Sequence, residues 1–156
     1  MRSLVCLTVL LASACETSPS AVRHQHIEAE RETFVYTDPP DRLYAFASEL
    51  LAEKGFEMPP GPPALNRSIS SAHQKKGDGA TQRFVVRLIP TAGGHLVHII
   101  GISADKNGEV YFRSRWDELE WELIQRAEPY RATEISRTAR RKADDVHRRQ
   151  RRRPRL

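Results

Sequence analysis

Cysteine is nearly absent from this chain of 156 residues, whose only two, Cys6 and Cys15, both lie within the first fifteen positions. Residues 16–156 contain no thiol, so they can form neither an internal disulfide nor a thiolate cage around a metal ion. Long apolar runs are missing too. The nearest approach, residues 96–102, contains His98 and is far shorter than the roughly 20 residues that cross a bilayer. The body of the chain must therefore be held together by non-covalent packing.

The sequence also lacks the motifs of common catalytic sites. No G-x-S-x-G elbow exposes a serine nucleophile, and the glycines at 93–94 lack the spacing and the following lysine of a phosphate-binding loop. His95 and His98 are three residues apart on a predicted strand, so their side chains are expected on opposite faces. His24 and His26 lie on one side of an extended segment without a third ligand. We predict no catalytic residue, no metal site and no cofactor, and a protein that is not an enzyme.

Acidic side chains are concentrated at Asp117, Glu118, Glu120 and Glu122. Paired carboxylates can serve as general acid and base. Here they fall in the first turns of a predicted helix, where negative charge is favourable against the helix dipole. Most of them are therefore expected to face solvent rather than a catalytic cleft.

The first fourteen residues have the pattern of an export signal. Met1 and Arg2 provide a short positive region, residues 4–11 an apolar core, and residues 12–14 the small side chains of a cleavage site. The apolar run is too short to span a bilayer. We expect residues 1–14 to be a signal peptide that is removed, so that the mature chain begins at Cys15 outside the cytoplasm.

The segment Leu11-Ala12-Ser13-Ala14-Cys15 resembles the lipobox of bacterial lipoproteins. The resemblance implies that Cys15 receives a diacylglyceryl group and becomes the acylated N-terminus, which anchors the protein to a membrane of the bacterial cell envelope, facing the periplasm or the exterior. Each buried methylene of the acyl chains contributes about 0.8 kcal/mol, so such an anchor is effectively permanent. The same small residues are also a site for ordinary signal peptidase, which would release a soluble protein beginning at Cys15.

The remainder of the chain has the length of one domain. Residues 15–32, which show no apolar period, are predicted to be a flexible tether. Residues 33–130 are predicted to form a single small α+β domain, and residues 131–156 a basic tail that is helical or disordered.

Within the domain, the predicted order of elements is β-α-β-β-β-α. Residues 33–36 have strand composition, and residues 82–89 and 95–103 are the clearest strands. Asp38 is the predicted N-cap of the first helix, and Ser114 with Asp117 fits a capping box before the second. We expect an antiparallel sheet of three to four strands with both helices packed on one face.

Positive charge is concentrated at the C-terminal end. Residues 137–156 hold ten Lys or Arg and two Asp, a balance of +8, so the whole-chain charge of +5 leaves −3 for residues 1–136. Guanidinium groups bind phosphates bidentately, and each contributes about 1 kcal/mol near an anionic membrane. We expect a solvated arm that contacts the phosphates of anionic lipids or lipopolysaccharide through Arg148, Arg149, Arg151, Arg152, Arg153 and Arg155.

These features favour an exported, lipid-anchored envelope protein that acts as a non-enzymatic scaffold or binding module, with an unidentified envelope protein as a further partner. The alternative is a cytosolic nucleic-acid-binding or ribosome-associated protein whose N-terminus only mimics a signal. An arginine run binds any polyphosphate without reading its sequence, so this alternative stays open, although nucleic acid is the less favoured partner.

Overall fold

The computed structural model describes residues 18–56, 68–75 and 80–152. The fold is α+β, as the sequence predicted, but the order of elements is α-α-β-β-β-β-α-α. None of the helices in these ranges is both long and apolar enough to cross a membrane. The elements are α1 Pro19–Glu32, α2 Pro40–Glu53, β1 Ser68–Lys75, β2 Thr81–Thr91, β3 Gly94–Ala104, β4 Val110–Arg115, α3 Asp117–Ala127 and α4 Pro129–Arg152.

The four strands form a meander in the order β1-β2-β3-β4, in which every neighbouring pair is antiparallel. The strand predicted over residues 82–89 lies within β2, and its side chains alternate: Phe84, Val86 and Leu88 are buried, whereas Arg87 is exposed on the other face. Ile99 of β3 lies opposite Val86 and is also buried. One face of the sheet therefore belongs to the core.

Two helices cover this face, because α2 contacts β1 and β2 while α3 contacts β3. Gly55 follows α2 with a φ of +82°, the left-handed conformation that commonly ends a helix and that glycine adopts without strain. The side chains that these helices bury are Leu43, Tyr44, Ala47, Leu50 and Leu51 from α2 and Leu119, Glu120, Leu123 and Ile124 from α3.

Both predicted helix starts were wrong. Pro39, not Asp38, is the N-cap of α2, and the Asp38 carboxylate instead accepts a hydrogen bond of 2.9 Å from Arg42. Ser114 lies within β4, and Trp116 precedes α3 without a side-chain cap. The strand continues through Ser114 because its pairing with β3 provides backbone hydrogen bonds in place of a capping box.

The strand predicted over residues 33–36 is reduced to one isolated bridge. The Tyr36 amide donates to the His95 carbonyl at 2.8 Å, and the His95 amide donates to the Tyr36 carbonyl at 3.0 Å. The chain then reaches Pro39 and Pro40, which have no amide hydrogen, and α2 begins. Too few residues remain between the bridge and the helix for a ladder to continue.

The flexible tether predicted over residues 15–32 was wrong for its described part, since residues 19–32 form α1. Ser18 caps this helix by accepting a hydrogen bond of 3.1 Å from the Ala21 amide, and Pro19 occupies the first turn, where a missing amide hydrogen costs nothing. The helix packs on α4 and contacts α3. The folded unit therefore extends beyond the predicted boundaries of 33 and 130 on both sides.

A buried ion cluster attaches α1 to the rest of the fold. Arg31, in the last turn of α1, is only 6% exposed. Its guanidinium donates to Glu120 Oε2 at 2.9 Å and also to the Asp117 carboxylate. Arg115 completes the cluster, with Nε 3.0 Å from Glu120 Oε1 and Nη2 2.5 Å from Oε2. These hydrogen bonds raise the pKa of Arg115 even though its partial burial opposes the charge.

Glu120 was expected with the solvent-facing carboxylates, yet it is 2% exposed. Its Oε1 accepts a hydrogen bond of 2.9 Å from the Ile99 amide, and the Ile99 carbonyl accepts one of 2.8 Å from the Trp116 amide. β4 ends at Arg115 and α3 begins at Asp117. The Glu120 carboxylate therefore accepts the hydrogen bond from the Ile99 amide that a longer β4 would have accepted.

We expect Glu120→Ala to lower the free energy of unfolding by about 3 to 5 kcal/mol, because it removes the buried partner of Arg31 and the acceptor of the Ile99 amide. Urea unfolding followed by circular dichroism measures this change. Glu118→Ala, on an exposed carboxylate of the same helix, should cost less than about 1 kcal/mol. Equal losses for the two variants would contradict a structural role for the buried cluster.

Candidate functional site: the basic end of the α1–α4 helix pair

Small side chains form the buried side of α4. Ala132, Ala139 and Ala143 are 0% to 8% exposed, and their spacing of seven and four residues places them on one side of the helix. Small residues let a neighbouring helix approach closely, and α1 is the element that α4 contacts most extensively. The other side of α4 is left to exposed charged residues.

The two helices run antiparallel. At one end, the Arg131 guanidinium lies 4.0 Å from the centre of the Phe34 ring and donates to the Val35 carbonyl at 2.8 Å, which places the start of α4 beside the end of α1. Farther along, Lys142 Nζ donates to His26 Nδ1 at 3.1 Å. The C-terminal half of α4 therefore lies beside the N-terminal half of α1.

Helix geometry then brings the beginning of α1 and the end of α4 together. Pro19 precedes His26 by seven residues, and Arg149 follows Lys142 by seven. At 1.5 Å per residue, both lie about 10 Å from the Lys142–His26 contact, in the same direction. The first turn of α1 and the last turns of α4 therefore form one end of the helix pair, which we call the basic end.

Four of the six predicted phosphate contacts lie in these last turns. Arg148, Arg149, Arg151 and Arg152 are all exposed, and within the described ranges the one ion pair among them joins Arg148 to Asp145 at 3.8 Å. They are helical, so the solvated arm expected here is a continuation of α4 as far as Arg152. A helix that is already formed and packed adds further residues at little cost. Arg153 and Arg155 lie outside the described residues.

The predicted lipidation site, Cys15, also lies outside the described residues, but the covalent chain limits its distance from this end. Cys15 precedes Ser18 by three residues, and an extended chain covers at most about 3.6 Å per residue. Its Cα can therefore be no more than about 11 Å from that of Ser18, which caps α1.

A groove of about 960 Å³ lies between the N-terminal half of α1 and the middle of α4, next to the basic end. Three arginines line it, one from α1 and two from α4, against a single aspartate. The balance of these four side chains is 3 − 1 = +2. The lining residues are Pro19, Ser20, Arg23, His24, Ile27, Ser136, Arg137, Arg140, Ala143 and Asp144. No local pattern in the sequence marks this groove, because its two sides are more than a hundred residues apart in the chain.

The histidines are placed on helices and strands that keep them apart. His24 and His26 are not on an extended segment: both belong to α1, where His24 pairs with Glu28 at 3.0 Å. His95 and His98 lie on opposite faces of β3, as their spacing predicted. Burial lowers the pKa of His98, and Arg115 lowers it further. Among the described residues, no three side chains of ligand type converge on one point.

The chemistry of the basic end is that of anion binding. Guanidinium groups stay protonated at neutral pH and present only donors, in a planar arrangement that matches the oxygens of a phosphate. Such groups hold an anionic group in place but do not act as bases or nucleophiles near neutral pH. No protein-family model matches this chain, and no curated protein or solved structure is significantly similar to it.

Proposed function

We propose that this chain is an exported, lipid-anchored protein of a bacterial cell envelope, and that its basic end lies against an anionic membrane surface. One observation carries the proposal. The first turn of α1, which begins four residues after Cys15, and the arginines at the end of α4 occupy the same end of the helix pair. A lipid on Cys15 and the cationic side chains would then face the same surface.

The two contacts support each other physically. An acyl anchor confines the domain near the bilayer, so the arginines bind headgroups at high effective concentration. Each arginine close to an anionic surface contributes about 1 kcal/mol, and the attraction decays over a Debye length of about 8 Å at physiological salt. The anchor keeps the protein attached to the membrane, and the arginines orient the domain on its surface.

We further propose that the protein works by binding rather than by catalysis. The groups at the basic end are guanidiniums, which recognise phosphate oxygens and leave them unchanged. In this role the domain is a scaffold that is held at the membrane and presents its other surfaces to an envelope protein.

Lipidation is tested by expressing the full chain in a bacterial host with radiolabelled palmitate. The protein should incorporate label, and Cys15→Ser should abolish incorporation because it removes the acylated thiol. Cys6→Ser is the matched control, since this cysteine lies in the leader and its loss should leave labelling intact. An unlabelled chain whose mass still includes Met1 would contradict export and lipidation.

Membrane contact by the basic end is tested on the chain from residue 15 onward with Cys15→Ser, which keeps every described residue. Replacing Arg148, Arg149, Arg151 and Arg152 together with Gln should weaken binding to vesicles of phosphatidylglycerol and phosphatidylcholine by at least about tenfold, given about 1 kcal/mol per arginine. Vesicle co-sedimentation at physiological salt measures the affinity.

The matched control neutralises four cations elsewhere, Arg83, Lys106, Arg87 and Arg113, which belong to the sheet and its β3–β4 turn. This variant has the same net charge and should keep most of the vesicle affinity. Equal loss in both variants would mean that net charge, not the basic end, drives binding. Tight binding to single-stranded RNA together with no binding to the vesicles would favour the nucleic-acid alternative.

A further inference from the structure

We infer that the groove between the start of α1 and α4 binds a phosphate-bearing group with two or more negative charges, such as a diphosphate. The source of that group as a lipid headgroup rests on the function proposed above, whereas the groove and its charge do not. The site is distinct from the arginines at the end of α4, since its cations are Arg23, Arg137 and Arg140.

Two of these arginines are available to a ligand. Arg23 and Arg140 are exposed, and neither makes a hydrogen bond or an ion pair with another described residue. Arg137 is engaged by the Glu134 carboxylate three residues earlier, so it contributes charge but fewer open donors. Asp144 is the acidic member of the lining. Glu134 and Asp144 together offset two of the three arginine charges, so the groove keeps an excess of one positive charge and two guanidinium groups that no described residue engages.

The arrangement of the charges favours a multiply charged ligand. Arg23 approaches from α1 and Arg140 from α4, so an anion in the groove can accept hydrogen bonds from both helices at once. A single carboxylate has only two oxygens, and one guanidinium group can already occupy both of them. A diphosphate carries enough charge, and its many acceptor oxygens suit two guanidinium forks.

Space and polarity also suit a headgroup rather than a bare ion. The groove volume of about 960 Å³ is near the upper end of the range for small-molecule sites. Ile27 and Ala143 give the lining an apolar part, while Ser20 and Ser136 add hydroxyl groups. The groove includes Pro19 and Ser20 of the first turn of α1, so a phosphorylated headgroup in it would lie next to the surface that the α4 arginines are proposed to contact.

The test uses the chain from residue 15 onward with Cys15→Ser and titrates it with inorganic pyrophosphate by isothermal calorimetry. We expect saturable binding that Arg23→Gln with Arg140→Gln weakens by at least about tenfold, because each charge-assisted hydrogen bond contributes roughly 1.5 to 3 kcal/mol. Both side chains are exposed, so thermal unfolding should be unchanged.

The matched control is Arg149→Gln with Arg151→Gln, which removes the same charge from the end of α4 and should change pyrophosphate affinity less than about threefold. Absence of pyrophosphate binding, or equal weakening by both double variants, would overturn the assignment of the groove as a site. Equal weakening would mean that pyrophosphate is attracted only by the overall positive charge of the two helices and not by a defined site.

A second experiment, on vesicles, identifies the source of the phosphate group. Vesicles that contain a diphosphorylated lipid are compared with vesicles of equal charge that contain phosphatidylglycerol. If the ligand is a headgroup, the Arg23 and Arg140 double variant should lose the preference for the diphosphorylated lipid. Loss of pyrophosphate binding without loss of that preference would support the groove with a soluble ligand. If the full chain proves to be unlipidated while pyrophosphate binding still depends on Arg23 and Arg140, the proposed function fails and the groove assignment stands.

Discussion

The buried carboxylate of Glu120 is the constraint on which the arrangement of this molecule depends. It accepts hydrogen bonds from Arg31 on α1, from Arg115 at the end of β4 and from the Ile99 amide of β3. A buried charge is tolerated only where partners satisfy it. Here the partners come from separate parts of the chain, so satisfying one carboxylate fixes the position of α1 relative to the sheet. The direction of α1 then determines where the chain before Ser18 emerges.

α4 packs on α1 and carries the candidate anion-binding side chains. Its alanines leave room for α1, while its exposed side carries charge that the core cannot accept. A single helix therefore serves as packing partner over its first part and as a cationic surface at its end. The groove follows from the same geometry, because two antiparallel helices with small contact residues place Arg23 beside Arg137 and Arg140 without requiring them to contact one another. Mutual repulsion of these cations is offset by solvent access and by Glu134 and Asp144 nearby.

Part of this fold could be predicted from sequence because the relevant signals are local. Residues 82–89 were predicted as a strand and lie within β2, and the first predicted helix of the domain corresponds to α2. α1 was not predicted because its apolar residues are few and irregularly spaced. Val22 and Ile27 do not form a stripe along the helix, and its most buried residue is Arg31. The Ser18-Pro19 start was an available signal. Glu120 likewise has no local mark that separates it from its exposed neighbour Glu118, since its burial depends on Arg31, 89 residues away.

The sequence by itself determined the α+β class, the pairing of β2 with β3 and the concentration of arginine at the C-terminal end, because hydrophobic period, turn residues and charge are properties of short segments. Only the tertiary structure decided that this arginine run continues a packed helix, that it lies beside the start of α1, and that a groove between α1 and α4 collects cations from both helices. These are relations between segments more than a hundred residues apart. They exist only because long-range packing and the satisfaction of buried charge select one arrangement of the helices.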